Sequence, residues 1–258
     1  MTQFILYNAP QSTCSQRVRF VLNSKEIKFE EKKLDLFSGD QLKPEYLKIN
    51  PNGVVPALMH NENIILDSSV IIEYLDDIFP DVSLFTPKSP VLRAKMRWMI
   101  RYIDEIPTPA IRFPSYNLAF LPHFKSMQED EFIALANSKP LRKEFLLSMG
   151  RTGFSKADMD QAMDKLSRAV VRMNEWIDES GGPWLMGDKI SLADIAIMPV
   201  IVRMDDINLD DAWKSFPNIK LWLENIKKEP AFKITYYTGS LLTEKYPHLA
   251  ALKNNKSI

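Results

Sequence analysis

The stretch KPEYLKINPNGVVPALMHNENIILDSSVIIEYLDD, residues 43–77, passes from helical to extended periodicity and back again. Leu42, Tyr46 and Ile49 share one helical stripe, which predicts a helix over 41–49. A strand follows from Pro56, at a position where a missing N–H does least harm. The run Asn61-Glu62-Asn63 reads as a tight turn into a second strand, Ile64-Ile65-Leu66. Asp67-Ser68 then supplies the cap of a helix whose Val70, Ile71, Tyr74, Leu75 and Ile78 form one apolar face. On the N-terminal side, Phe4 to Tyr7 read as a short buried strand, and Val18, Val21 and Leu22 recur at helical spacing within 14–25. Ile27, Phe29 and Glu31 open another strand, running to about Leu36. The order βαβαββα describes an α/β layer unit closed by a hairpin.

On the C-terminal side, PDVSLFTPKSP (80–90) is the clearest linker in the chain, with prolines at 80, 87 and 90. The strand signal disappears after it. Helices are predicted over 93–106, ended by Pro107 and Pro109, and over 158–178, 191–204 and 217–229. SLAD at 191–194 is a capping box with Asp in place of Glu. The expected organisation is a domain over 1–80, a linker over 81–90 and an all-helical domain over 91–258. The segment between the helices ending near Ile106 and starting near Ser155 is far longer than the roughly 2–8 residues of an ordinary helix connection, so it must hold extra helices. Its Phe113, Tyr116, Phe120, Phe124, Phe132 and Phe145 either roof a pocket or form the core of those added helices.

Composition narrows the function. Lys plus Arg and Asp plus Glu both total 33, and no basic stripe stands out, which argues against nucleic-acid and anionic-membrane partners. No apolar run is long enough to span a bilayer, and the N-terminus has no secretory pattern. Cys14 is the one cysteine, which rules out an internal disulfide and fits a reducing, cytoplasmic setting. His60, His123 and His248 are scattered, so no metal site is expected.

Four patterns, STCSQRVR (12–19), KPEYLKINPNGVVPAL (43–58), DSSVIIEYLDD (67–77) and GDKISLADIAI (187–197), occur in an order and at separations that resemble the cytosolic glutathione transferases. The resemblance extends to about Phe232. It implies a thioredoxin-like N-terminal domain followed by a helical C-terminal domain, glutathione as co-substrate, no metal, a homodimer, and conjugation of a small hydrophobic, aromatic electrophile in detoxification. It implies a cis peptide before Pro56, so that Val55 can pair with the cysteinyl part of glutathione as an added strand. It places the γ-glutamyl end at Asp67 and Ser68, on a helix N-terminus, and the glycyl carboxylate at Lys43. Ser68 also reads as a plain N-cap and Lys43 as a solvated charge. Many members carry Lys or Gln where this chain has Val54.

Ser12 matches the thiol-activating serine of zeta-like members, whereas omega-like members have cysteine there. Holding a thiol ionised near neutrality needs a pKa drop of about two units, or ~2.7 kcal/mol. One charge-assisted hydrogen bond of roughly 1.5–3 kcal/mol, with a helix end adding ~0.3–1 kcal/mol, is enough. Ser12 reads alternatively as an N-cap alone. Cys14 matches the cysteine of the related tetrachlorohydroquinone reductive dehalogenases, which forms a mixed disulfide with glutathione; it reads alternatively as a small filler of the first helical turn, as free cysteine commonly is. A long insertion in the helical domain also occurs in the β-aryl etherase and dehalogenase branches, which points to an aromatic acceptor. Arg101, Phe113 and Tyr116 are the candidate acceptor-pocket residues. Arg93, Arg97 and Arg101 are expected to meet acids such as Asp76 and Asp77 across a dimer axis. The competing reading is a non-catalytic carrier of the same fold.

Overall fold

A computed structural model describes residues 3–82, 84–249 and 251. Ser83 of the linker and the ends of both expected domains therefore lie outside the described residues. The first domain runs β1 (Phe4–Asn8), α1 (Thr13–Ser24), β2 (Glu30–Lys33), α2 (Pro44–Leu47), β3 (Ala57–His60), β4 (Asn63–Leu66) and α3 (Ser68–Ile78). The sheet order is β2-β1-β3-β4. β1 pairs parallel with β2 and antiparallel with β3, with Leu6 opposite Leu58, and β3 pairs antiparallel with β4. β2 is a charged edge strand, which discourages further pairing.

Two local expectations shift. β2 stops at Lys33 because Asp35 builds a turn, taking the N–H groups of Phe37 and Ser38 on its carboxylate, and Gly39 at φ +81° completes it. The helix expected over 41–49 is a 3₁₀ turn (Asp40–Leu42) followed by α2, because Pro44 forces Lys43 into an extended conformation. The Val55–Pro56 peptide is cis, as the resemblance implies.

Irregular chain over the described residues 79–82 and 84–89 leads to α4 (Pro90–Glu105), which starts earlier than the expected 93 because Pro90 is well tolerated at the first helical position. Pro107 ends α4 and opens the next helix in the same way: α5 (Pro107–Ala110), α6 (Arg112–Ser115), a π turn (Tyr116–Phe120), α7 (Leu121–Lys125), α8 (Glu129–Asn137) and α9 (Lys143–Met149) fill the long segment. α10 (Lys156–Ser180), α11 (Leu192–Asp206), α12 (Pro217–Lys228), α13 (Pro230–Thr235) and α14 (Leu242–Lys245) are the remaining α-helices among the described residues. α11 is buried nearly all round, as expected of a helix apolar on every face. Its capping box forms: Asp194 takes the N–H and hydroxyl of Ser191, and also the Leu185 N–H and the Trp222 indole.

One core joins Leu6, Val18, Val21, Leu58, Ile71 and Leu75 of the sheet domain to the buried faces of α4, α10 and α11. A second, smaller core belongs to the inserted helices, with Phe124, Phe132, Leu146, Met149 and Phe154 at its centre and Phe113 and Phe145 packed on it. Phe37 of the sheet domain docks on this insertion, edge-on to Phe120.

Candidate functional site

A cavity of about 450 Å³ opens between the two domains. Its floor is residues 9–14, the loop after β1 and the first turn of α1. One side is made of residues 33–37, 40–41 and 53–55, and the roof is the insertion with Arg203 and Tyr246. Ser12, Cys14, Val55 and Tyr116 line it.

The floor is held rigidly. Buried Arg19 donates to the Asn8 side chain at 2.6 Å and to the Pro10 carbonyl at 2.9 Å. Arg203 donates to the Gln11 carbonyl at 2.5 Å, and Gln11 donates to the Gly239 carbonyl. Ser12 is the N-cap of α1, its Oγ accepting the Ser15 N–H at 3.2 Å. As an acceptor to the helix, that hydroxyl keeps its own proton for a ligand. The N-terminus of a twelve-residue helix lies under the same spot, favouring negative charge.

Beside it, the Val54 carbonyl is taken by the Tyr46 hydroxyl at 2.6 Å and the Asn50 amide at 2.8 Å. The Val55 N–H and carbonyl have no internal partner among the described residues. A carbonyl and N–H left open next to Pro56 form a short strand edge that an extended peptide can pair with.

Lys43, Pro56, Asp67 and Ser68 lie outside the cavity wall. Asp67 caps α3, accepting the N–H groups of Ser69 and Val70 from a left-handed φ of +70°, and leaves the Ser68 N–H at the helix start. The Ser68 hydroxyl is tied to α1: Arg17 donates to it at 3.3 Å, to the Ser69 hydroxyl at 3.2 Å, to Asp104 at 2.5 Å and to Thr108 at 2.7 Å. Arg17 and Asp104 went unremarked in the sequence, because nothing local says that a helical arginine turns inward to join three elements. Lys43 is 61% exposed and paired with Asp40 at 2.7 Å, which raises its pKa.

The acceptor candidates separate. Tyr116 lines the cavity, while Phe113 packs on the insertion core against Phe145 and Phe154. Arg101 is out on the surface of α4, paired with Glu105. Of the insertion's aromatics, Phe120 and Phe124 also reach the cavity, so this segment is both core and roof. Sequence reading did not single out Arg112, Lys139 and Arg142, which the insertion brings to the same wall. Among the described residues no cluster of three metal-ligating side chains occurs, and no helix is long and apolar enough to cross a membrane.

One expectation is corrected. Asp76 cannot meet an arginine of a partner subunit, because it is fully buried in an ion pair with Lys25 at 2.8 Å and accepts the Phe85 N–H. Arg97 pairs instead with Glu73 of the same chain at 2.9 Å.

Comparison with known proteins places this geometry. Residues 6–83 match the family model of the glutathione S-transferase N-terminal domain, and residues 129–230 match that of the C-terminal domain. Glutathione S-transferase 1 of Dianthus caryophyllus is 34% identical over 218 residues, 83% of each chain. Protein LigF of Sphingobium sp. strain SYK-6 is 27% identical over 239 residues, covering 88% of this chain and 91% of its own. The crystal structure of that protein, described as a beta-etherase, superposes with a TM-score of 0.82 over 91% of this chain and 98% of its own. With both domain models matched in order, and the cis proline and serine-capped first helix in place, the chain belongs to the glutathione S-transferase family.

Proposed function

We propose that this glutathione transferase binds glutathione along Val55, with its γ-glutamyl end at Asp67 and Ser68, its glycyl carboxylate toward Lys43, and its thiol over Ser12. The observation that carries the reading is the Ser12 hydroxyl: it caps α1 through its lone pair, faces the cavity, and has a proton to give. Donated to the glutathione sulfur, it stabilises the thiolate. The sulfur attacks the electrophilic carbon of an apolar, aromatic acceptor under Tyr116, Phe120 and Phe124, and the leaving group departs with the bonding pair. Ser12 exchanges no proton with the sulfur; it holds the charge until the new bond disperses it. The single cysteine supports a reducing, cytoplasmic setting.

A second reading is favoured by the position of Cys14, which lines the same cavity close enough to Arg142 for a thiolate there to favour the guanidinium charge. In that reading Cys14 acts after the first attack. Its thiolate takes the glutathionyl sulfur from the adduct, the carbon leaves with the electron pair and gains a proton, and a second glutathione resolves the mixed disulfide as glutathione disulfide.

A homodimer is proposed through the face carrying Val70 and Trp98, 56% and 51% exposed, beside the Arg97–Glu73 pair.

Calorimetry with glutathione, followed by product analysis against aryl halides, aryl ethers, haloquinones and maleylacetoacetate, tests the assignment. Absence of glutathione binding at millimolar concentration overturns it. Cys14→Ala discriminates the two readings: conjugation continues if Ser12 alone is needed, whereas glutathionyl adducts of reducible acceptors accumulate if Cys14 performs the exchange.

A further inference from the structure

The cavity wall built by the insertion carries charge that the protein itself does not balance. Six Lys or Arg side chains line the cavity against two Asp. Both acids are engaged: Asp35 accepts the Phe37 and Ser38 N–H groups, and Asp40 pairs with Lys43. Of the cations, Lys33 pairs with Glu31, and Arg203 donates to Ser115 and Gln11. The other four, Arg112 of α6, Lys139, Arg142 at the start of α9 and Lys245, have no carboxylate partner among the described residues; the two arginines carry forked donors, and the one bond of the Arg142 fork runs to its neighbour's carbonyl, Leu141 O.

Both arginines line the same cavity and act on each other's charge. Burial first, and then the charge of Arg112, disfavours the Arg142 cation. Both arginines act on the Tyr116 phenol, which burial pushes up and which has no hydrogen-bond partner among the described residues. Half-buried like charges with no counter-ion destabilise a fold, so an arrangement of this kind points to a ligand that completes it. Two guanidiniums beside a phenol O–H supply the forked donors that a carboxylate takes. The neighbouring wall, with Ile111, Phe120 and Phe124, is apolar.

We propose that the acceptor of this transferase carries a carboxylate, gripped by Arg112, Arg142 and the Tyr116 hydroxyl, while its apolar ring lies against Phe120 and Phe124. This rests on the conjugation reading above. Glutathione has carboxylates of its own, and its glycyl end is assigned to Lys43; Arg142 is the cation on which the Cys14 thiol acts, and the glutathione KM below separates the two carboxylates.

The probes are 4-chloro-3-nitrobenzoate and its methyl ester. Both react alike: the glutathione sulfur bonds to the ring carbon and chloride leaves with the electron pair. The expected result is a kcat/KM for the benzoate about tenfold or more above the ester, each normalised to its uncatalysed rate, with the ratio falling toward one in Arg112→Met and Arg142→Met, mainly through KM. Arg142→Gln serves as a second variant, and because the ratio is taken within one protein, partial unfolding does not imitate the effect. Calorimetry with 4-chlorobenzoate, which is not conjugated, reports the anion site even if no electrophile is turned over, so failure of the conjugation reading is seen separately. A native ratio near one, a ratio indifferent to all three variants, or no binding of 4-chlorobenzoate at millimolar concentration overturns the proposal. So does a rise in KM for glutathione with the ratio intact, which would give the cluster to the glycyl carboxylate.

Discussion

Ser12→Ala removes two interactions that can be measured apart. The first is the cap: Ser12 Oγ no longer accepts the Ser15 N–H of α1, at 3.2 Å in the native protein. Losing such a cap costs about 1 kcal/mol of stability, a fall in the thermal midpoint of about 2–4 °C for a chain of this size. The second is the donor to bound glutathione. A charge-assisted hydrogen bond contributes roughly 1.5–3 kcal/mol, so the bound thiol's pKa should rise by about one to two units. If the native complex holds it near ~6.5, about three quarters is thiolate at pH 7; at ~8 only about one tenth is. Turnover at pH 7 therefore falls roughly 3–25-fold for a rise of one to two units, and most of the deficit recovers above pH 9. The assay is the pH profile of kcat with a saturating aryl halide, beside an ultraviolet titration of the bound thiolate. Ser12→Thr retains both hydroxyl functions and should retain most activity. Ser12→Gly replaces much of the cap but not the donor, so it should be as slow as Ser12→Ala while nearly as stable as the native protein. A Ser12→Ala profile that overlays the native one, with an unmoved thiolate titration, refutes the assignment whatever happens to stability.

Other expectations follow from burial and charge. Asp76→Asn removes the carboxylate charge paired with the buried Lys25 ammonium, which also donates to the carbonyls of Phe79 and Val82, and should cost about 3 kcal/mol in urea denaturation; Lys25→Met with Asp76→Asn should recover part of that. Burial alone pushes Lys139 down to about 8. At pH 8 it should react with an amine-directed reagent roughly 100-fold faster than exposed lysines with pKa near 10.4, by mass-spectrometric mapping, the advantage vanishing above pH 10. Because that folded value lies below the unfolded one, the charge lowers stability fully below pH 8, and this penalty fades as the pH rises from about 8 to about 10.4, which pH-dependent unfolding can follow. Trp98→Glu on the exposed face of α4 should convert a dimer to monomer by light scattering; a native protein that is already monomeric at micromolar concentration removes the basis for that face.

The features legible in the sequence are those whose cause lies within a few residues. Ser12 before a helical run, the 191–194 capping box, the proline after Val55 and the period switch across 43–77 act through neighbouring backbone groups, and the fold follows from their order. The local departures have local causes as well: Pro44 splits the expected second helix, and Asp35 closes β2 early. What only the tertiary structure decided is where distant side chains meet. Asp76 reads as one of two adjacent surface acids, yet the helical phase of α3 turns it inward onto Lys25 while Asp77 stays outside. Arg112 and Arg142 are thirty residues apart and each reads as an ordinary helical charge; they line one cavity with Cys14 because the insertion folds on its own aromatic core and docks on Phe37. Tyr246 reaches the same cavity from the far end of the described chain. Capping and periodicity are set by contacts three or four residues away and leave a pattern in the sequence; a charge cluster assembled across a domain interface depends on how whole helices pack, and no local pattern carries that information.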